Sequence, residues 1–199
     1  CRDFAELIIG MDPMEHEKIW DKLYMRTFWA QGGGGFEFGA ISAIDIALWD
    51  IKGKALGLPV HMLLGGKVNP KLRVYASQLQ LDWGVECHRL TRPEEYAEAG
   101  LRAKAAGYSA IKVNPMMFDR HGNVFARYTG LLDADRIKMA AERVEAIRLA
   151  IGNDMDIMLE LHANTDIGSA TQVCRALEEY NIFVAEEAVS PLSADNLLA

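Results

Sequence analysis

No apolar run in this chain approaches the roughly 18 residues a membrane helix needs, and the opening CRDFAELIIG lacks the charged leader, long apolar stretch and cleavage site of an export signal. A cytoplasmic protein with no membrane partner is therefore expected. The 199 residues contain only three cysteines, Cys1, Cys87 and Cys174, too few and too scattered for a disulfide framework or a zinc site. Such cysteines are expected as buried small hydrophobes. Lys and Arg form no block and the formal charge is −7, which argues against a nucleic-acid partner.

The composition is that of a folded soluble chain, with 50% hydrophobic and 25% charged residues, so a packed core is expected and disorder is not. The chain starts at Cys1 without a Met and ends in SPLSADNLLA, which reads as the entry to another helix, so an incomplete chain is expected.

The spacing of Ile19, Trp20, Leu23 and Tyr24 predicts an amphipathic helix from Pro13 to Phe28, with Asp12 as N-cap. Four glycines follow in WAQGGGGFEFG; the run lacks the GK[ST] ending of a phosphate loop and no strand leads into it, so it reads as a mobile flap. In FGAISAIDIALWDIKGKALG, Ile41, Ile44, Leu48, Ile51 and Ala55 recur at helical spacing, with Gly57 and Pro59 as the stop. Its apolar makeup predicts burial over much of its surface, leaving Asp45 and Asp50 on an exposed or paired side.

After GGKVNP the pattern changes. RVYAS (73–77), SAIKV (109–113), MDIMLEL (155–161) and IFVAE (182–186) read as strands, with helices between them near 93–106, 133–151 and 167–180. Alternating strand and helix implies a parallel sheet, either half of a (β/α)8 barrel or part of an open doubly wound sheet. Lys112 and Asn114, Glu160 and His162, and Glu186 all fall at strand C-terminal ends, where barrels carry their active sites. The expected architecture is α/β: residues 1–72 as an incomplete, mostly helical capping domain, and 73–199 as the N-terminal half of a barrel, with about four strands.

Residues two apart on a strand face the same way, so Lys112 and Asn114 share a face, as do Glu160 and His162, with Leu161 turned toward the helices. Glu160 and Glu186 would repel one another unless a cation lay between them, and an all-oxygen donor set suits Mg²⁺. His162 beside them can give or take a proton near neutral pH. Glu187 is expected to point away and pair with a basic side chain.

On these residues the chain resembles the mandelate racemase and muconate lactonizing branch of the enolase superfamily. AISAIDIALWDIKGKALGLPVHMLLGG is similar to the helical segment that closes that branch's capping domain. The family's metal ligands end successive barrel strands, the first two about 26 residues apart, which is the spacing from Glu160 to Glu186. Two departures are present: Ala188 stands where Glu-Glu-Pro has its proline, and Glu160 stands where many members have Asp.

Lys112-Val113-Asn114 resembles the Lys-x-Asn of galactonate-dehydratase-like enzymes, and Glu160-Leu161-His162 their acidic-x-His. The resemblance implies a Mg²⁺-dependent acid-sugar dehydratase that abstracts the proton next to a carboxylate, passes through an enediolate and yields a 2-keto-3-deoxy acid. Glu160 and Glu186 would hold the metal, His162 would protonate the departing hydroxyl, Lys112 would neutralise the carboxylate or assist proton transfer, and Asn114 and Asn164 would contact substrate. The stretch PMMFDRHGNVFARYT after Asn114 would border that substrate. Family members are commonly homo-oligomers, and their third ligand and His base come from later strands than these, so the chain alone is expected to be inactive. A racemase or epimerase would be favoured by Lys-x-Lys, against which Asn114 counts. A non-catalytic relative is the reading that Ala188 favours.

Overall fold

The computed structural model describes residues 2–26, 28, 31, 35–83, 87–125, 127–192 and 195. The glycine run, except for Gly35, lies outside them. The chain forms two compact units, Cys1–Leu72 and Arg73–Ala199, and no helix among the described residues is long and apolar enough to cross a membrane.

The first unit is helical: α1 (Arg2–Ile8), α2 (His16–Arg26), α3 (Gly35–Leu56) and a single turn α4 (Val60–Leu63). Helix α2 starts three residues after Pro13, because Asp12 closes a turn of its own: its Oδ1 accepts from the Met14 N–H at 2.9 Å and its carbonyl from Glu15. Ile19 and Leu23 of α2 pack with Ile41 and Leu48 of α3 and Phe4 of α1. That covers one side of α3 only. Contrary to expectation, Ile46 is 70% exposed and Ile51 42%; as expected, Asp50 is paired, with Lys54 at 2.5 Å. Helix α3 ends as its sequence predicts. Gly57 takes φ +67°, and the Leu58 N–H reaches back to the Gly53 carbonyl, satisfying an orphaned acceptor.

The second unit alternates helix and strand: α5 (Pro93–Ala105), β1 (Ala110–Val113), α6 (Ala134–Ile151), β2 (Asp156–Glu160), α7 (Ile167–Leu177) and β3 (Ile182–Glu186). The three strands form one parallel sheet in the order β1-β2-β3. Of the expected first strand at 73–77, a single bridge survives, Ala76 to Ile111, held by the Ala76 N–H on Ala110 and the Lys112 N–H on Ala76. The end of α7 tightens into a 3₁₀ turn over Glu178–Tyr180.

The core lies between the sheet and helices α5 and α6, with Ile111, Val113, Ile157 and Leu159 facing Tyr96, Ala99, Val144 and Ile147. Two arginines of α6 are buried in it with no carboxylate partner among the described residues. Arg143 donates to the carbonyls of Pro115, Phe118, Asp119 and Thr91, while Arg148 donates to Tyr180, Asn181, Gly152 and Met155. One binds the loop after β1; the other binds the segments that enter β2 and β3. The cysteine expectation fails where it can be checked: Cys87 is exposed and Cys174 half-buried, and Cys1 lies outside the described residues.

Candidate active site

Strand register brings the polar residues together. Lys112 pairs with Met158, so the same face of β2, two residues on, carries Glu160, and Glu160 lies directly opposite Glu186. The Lys112 ammonium lies 3.1 Å from Glu160 Oε2 and 2.9 Å from Glu186 Oε2, above the Tyr75 ring at 5.2 Å. Burial works against the charge on Lys112, but its hydrogen bonds to Glu186 and Glu160 outweigh it and hold its pKa above the ordinary lysine value. Burial likewise opposes ionisation of Glu160, yet the His162 N–H and the Lys112 ammonium keep its carboxyl below its usual range. Two carboxylates from neighbouring strands therefore share one cation.

The other half of the cluster turns about His162. Glu160 Oε1 accepts from the His162 backbone N–H at 2.9 Å, and Asn114 Nδ2 lies 3.2 Å from His162 Nδ1. His162 and Ala163 both take left-handed backbone conformations, at φ +51° each, and Glu187 does the same at +48°. Consecutive non-glycine residues in that region are sterically costly and cluster at functional sites. The turn persists because Leu161 N–H bonds to the Glu186 carbonyl and Ala163 N–H to that of Glu187, extending the contact between strands past their ends.

Lys112, Asn114, Glu160, His162 and Glu186 thus meet in one place. Asn164 does not join them. It bonds through its backbone to Tyr128 and Leu161 and lines a separate hollow with Arg127, Asp166 and Val189. Glu187 is exposed and forms no ion pair among the described residues, contrary to expectation. Leu161 is fully buried, as its turn toward the helices requires.

Two participants were not singled out from the sequence. Gln80, 1% exposed, accepts the Asn114 backbone N–H on its Oε1 at 3.1 Å, and Tyr75 covers the Lys112 ammonium. Gln80 lies 34 residues from Asn114 in a stretch with no motif, so only its apolar surroundings, Leu79 and Leu81, hinted that it is buried.

Among the described residues no group of three or more His, Cys, Asp or Glu side chains is poised around a metal position. The two carboxylates nevertheless fit a hard cation, since their oxygens already converge on the positive charge of Lys112.

Residues 95–199 match the family described as Enolase C-terminal domain-like, and residues 1–65 match the mandelate racemase/muconate lactonizing enzyme N-terminal domain. The chain belongs to the mandelate racemase and muconate lactonizing branch of the enolase superfamily. It is 34% identical over 197 residues to a D-galactonate dehydratase of Ralstonia nicotianae, covering 98% of this chain and 45% of that protein. To a D-gluconate dehydratase of Thermoproteus tenax it is 34% identical over 187 residues, covering 94% of this chain and 34% of that protein. A solved enolase-superfamily member from Salmonella Typhimurium superposes with a TM-score of 0.88 at 50% identity, covering 98% of this chain and 50% of that one. The chain thus spans about half the length of its solved relative and less of its curated relatives. Within the branch's architecture it forms the capping segment and the start of the barrel.

Proposed function

We propose that the protein to which this chain belongs is a Mg²⁺-dependent acid-sugar dehydratase. The observation that carries this reading is the cluster itself: Glu160 and Glu186 oxygens meeting one cation, with the His162 ring beside Glu160. Dehydratase relatives that act on galactonate and gluconate support the choice of substrate class.

Glu160 and Glu186 would hold the metal, which when bound supplies a Lewis acid to the substrate carboxylate. Lys112 adds a fixed positive charge next to that carboxylate. His162 faces the β-hydroxyl and, when protonated, would give it the proton with which it leaves as water, while a base on a later strand than these would take the proton of the α-carbon; the resulting enol tautomerises to a 2-keto-3-deoxy acid. A racemase would need a second proton-transferring group on the strand of Lys112, and Asn114 in that position has no titratable proton.

The test uses the full-length protein, screened against acid sugars for a 2-keto-3-deoxy product, with Mg²⁺ binding followed by calorimetry. Product from at least one sugar, with binding weakened in Glu160→Gln, supports the reading. Full turnover by His162→Asn would remove His162 from its role, and equal Mg²⁺ binding by Glu160→Gln would remove the metal site.

A further inference from the structure

The hydrogen bonds around Asn114 decide which nitrogen of His162 carries the proton. Asn114 is 1% exposed, and its Oδ1 accepts from the Met116 backbone N–H at 3.0 Å. A backbone N–H can only donate, so the amide atom facing it must be the oxygen, which leaves the NH₂ group facing His162 Nδ1 at 3.2 Å. Two N–H groups cannot hydrogen-bond to each other, so Nδ1 must present its lone pair. The Glu160 carboxylate does not compete for a proton there: its Oε1 is 4.0 Å from Nδ1, beyond hydrogen-bond reach, and is committed to the His162 backbone N–H. Turning the Asn114 amide over would set N–H against the Met116 N–H, and the Gln80 bond to the Asn114 backbone holds the residue in place from behind.

We propose that Asn114 is a positioning residue that fixes His162 as the Nε2–H tautomer, so that the neutral ring meets its ligand as a hydrogen-bond donor. Nε2 has no hydrogen-bond partner among the described residues, and the side chain is 35% exposed, so this nitrogen is the one open to a ligand. A ring held in this form cannot accept a proton at Nε2. In this form it holds a hydroxyl as a hydrogen-bond donor, gives that hydroxyl a proton only once the ring has taken up a second one, and does not serve as a base at the α-carbon. Asn114, buried and bonded to Met116 and His162, acts on a substrate through His162. The chemical use of the donor rests on the dehydratase reading; the tautomer does not.

Nitrogen-15 spectra of histidine-labelled full-length protein, recorded where the ring is neutral, read the tautomer without any turnover. In the unaltered protein His162 is expected as Nε2–H alone. Asn114→Asp, which offers only acceptors, is expected to invert it to Nδ1–H and to lower kcat about 100-fold with KM changed less than about threefold. Nδ1–H in the unaltered protein, or an unchanged tautomer in a folded Asn114→Asp protein, overturns the proposal. If the variant fails to fold, the unaltered protein alone decides. Nε2–H in a protein that dehydrates no acid sugar would leave this inference standing and reject the dehydratase.

Discussion

Lys112 carries the largest electrostatic load in the site, because its ammonium separates two carboxylates that would otherwise face each other across β2 and β3. Replacing it by Met leaves the buried Glu160 charge beside Glu186 with nothing between them. In metal-free full-length protein Lys112→Met should lose about 2–4 kcal/mol of stability. Added Mg²⁺ should return part of that loss by binding only the folded state, which melts with and without the ion would show. That Glu160 would belong to a polar cluster was legible, because an ionisable group at the end of an apolar strand needs a partner there. The division of labour between its two oxygens was not legible, since nothing in ELH says that the chain turns left-handed at His162.

At the scale of elements, α5 shows how one side chain sets a helix start. Glu95 accepts from the backbone N–H groups of Thr91 and Arg92 at 2.9 and 3.0 Å. Burial alone would raise its pKa, but those two bonds and the Arg92 side chain prevail and bring it down to about 2. The stabilisation is therefore complete above the ordinary carboxylate range and is lost as pH falls from about 4.5 toward about 2. Glu95→Gln should cost about 1–2 kcal/mol at neutral pH, with the gap to the unaltered protein closing below about pH 2 in acid titrations followed by circular dichroism. The arginines of α6 give a paired test, because Arg143 ties down the loop after β1 while Arg148 ties the opposite end of the sheet. Each Arg→Lys change should cost about 2–4 kcal/mol by leaving buried carbonyls unpaired. Only Arg143→Lys is expected to raise KM severalfold as well, in steady-state kinetics of the full-length protein. Strands β1, β2 and β3 were readable from short β-branched and apolar runs between helical repeats. Helix α1 was not, because seven residues offer barely two turns of periodicity, and the 73–77 run kept its β-forming residues but found a partner only at Ala76.

At the scale of the whole molecule, β3 has a hydrogen-bonded neighbour on one side only among the described residues, with Phe183 58% and Val184 37% exposed. Such a strand is a template for further pairing. The 199-residue chain expressed alone should therefore self-associate, and Val184→Lys should reduce that association in light scattering. The apolar side of α3, with Ile46 and Ile51 in solvent, belongs to the same class of surface. The parallel sheet was visible in the alternation of elements, and the barrel start in the polar residues at the strand ends. How much of each element's surface would be covered was not, because hydrophobic pattern reports which side seeks cover and cannot say what supplies it.

The split carboxylate of Glu160 also makes the protein its own meter. One oxygen faces the cation and the other holds the His162 amide proton, so drawing electron density toward the first weakens the bond at the second. The resonance of that single proton should move upfield as charge accumulates at the first oxygen, letting a spectroscopist follow site loading from the backbone, with no substrate and no added dye.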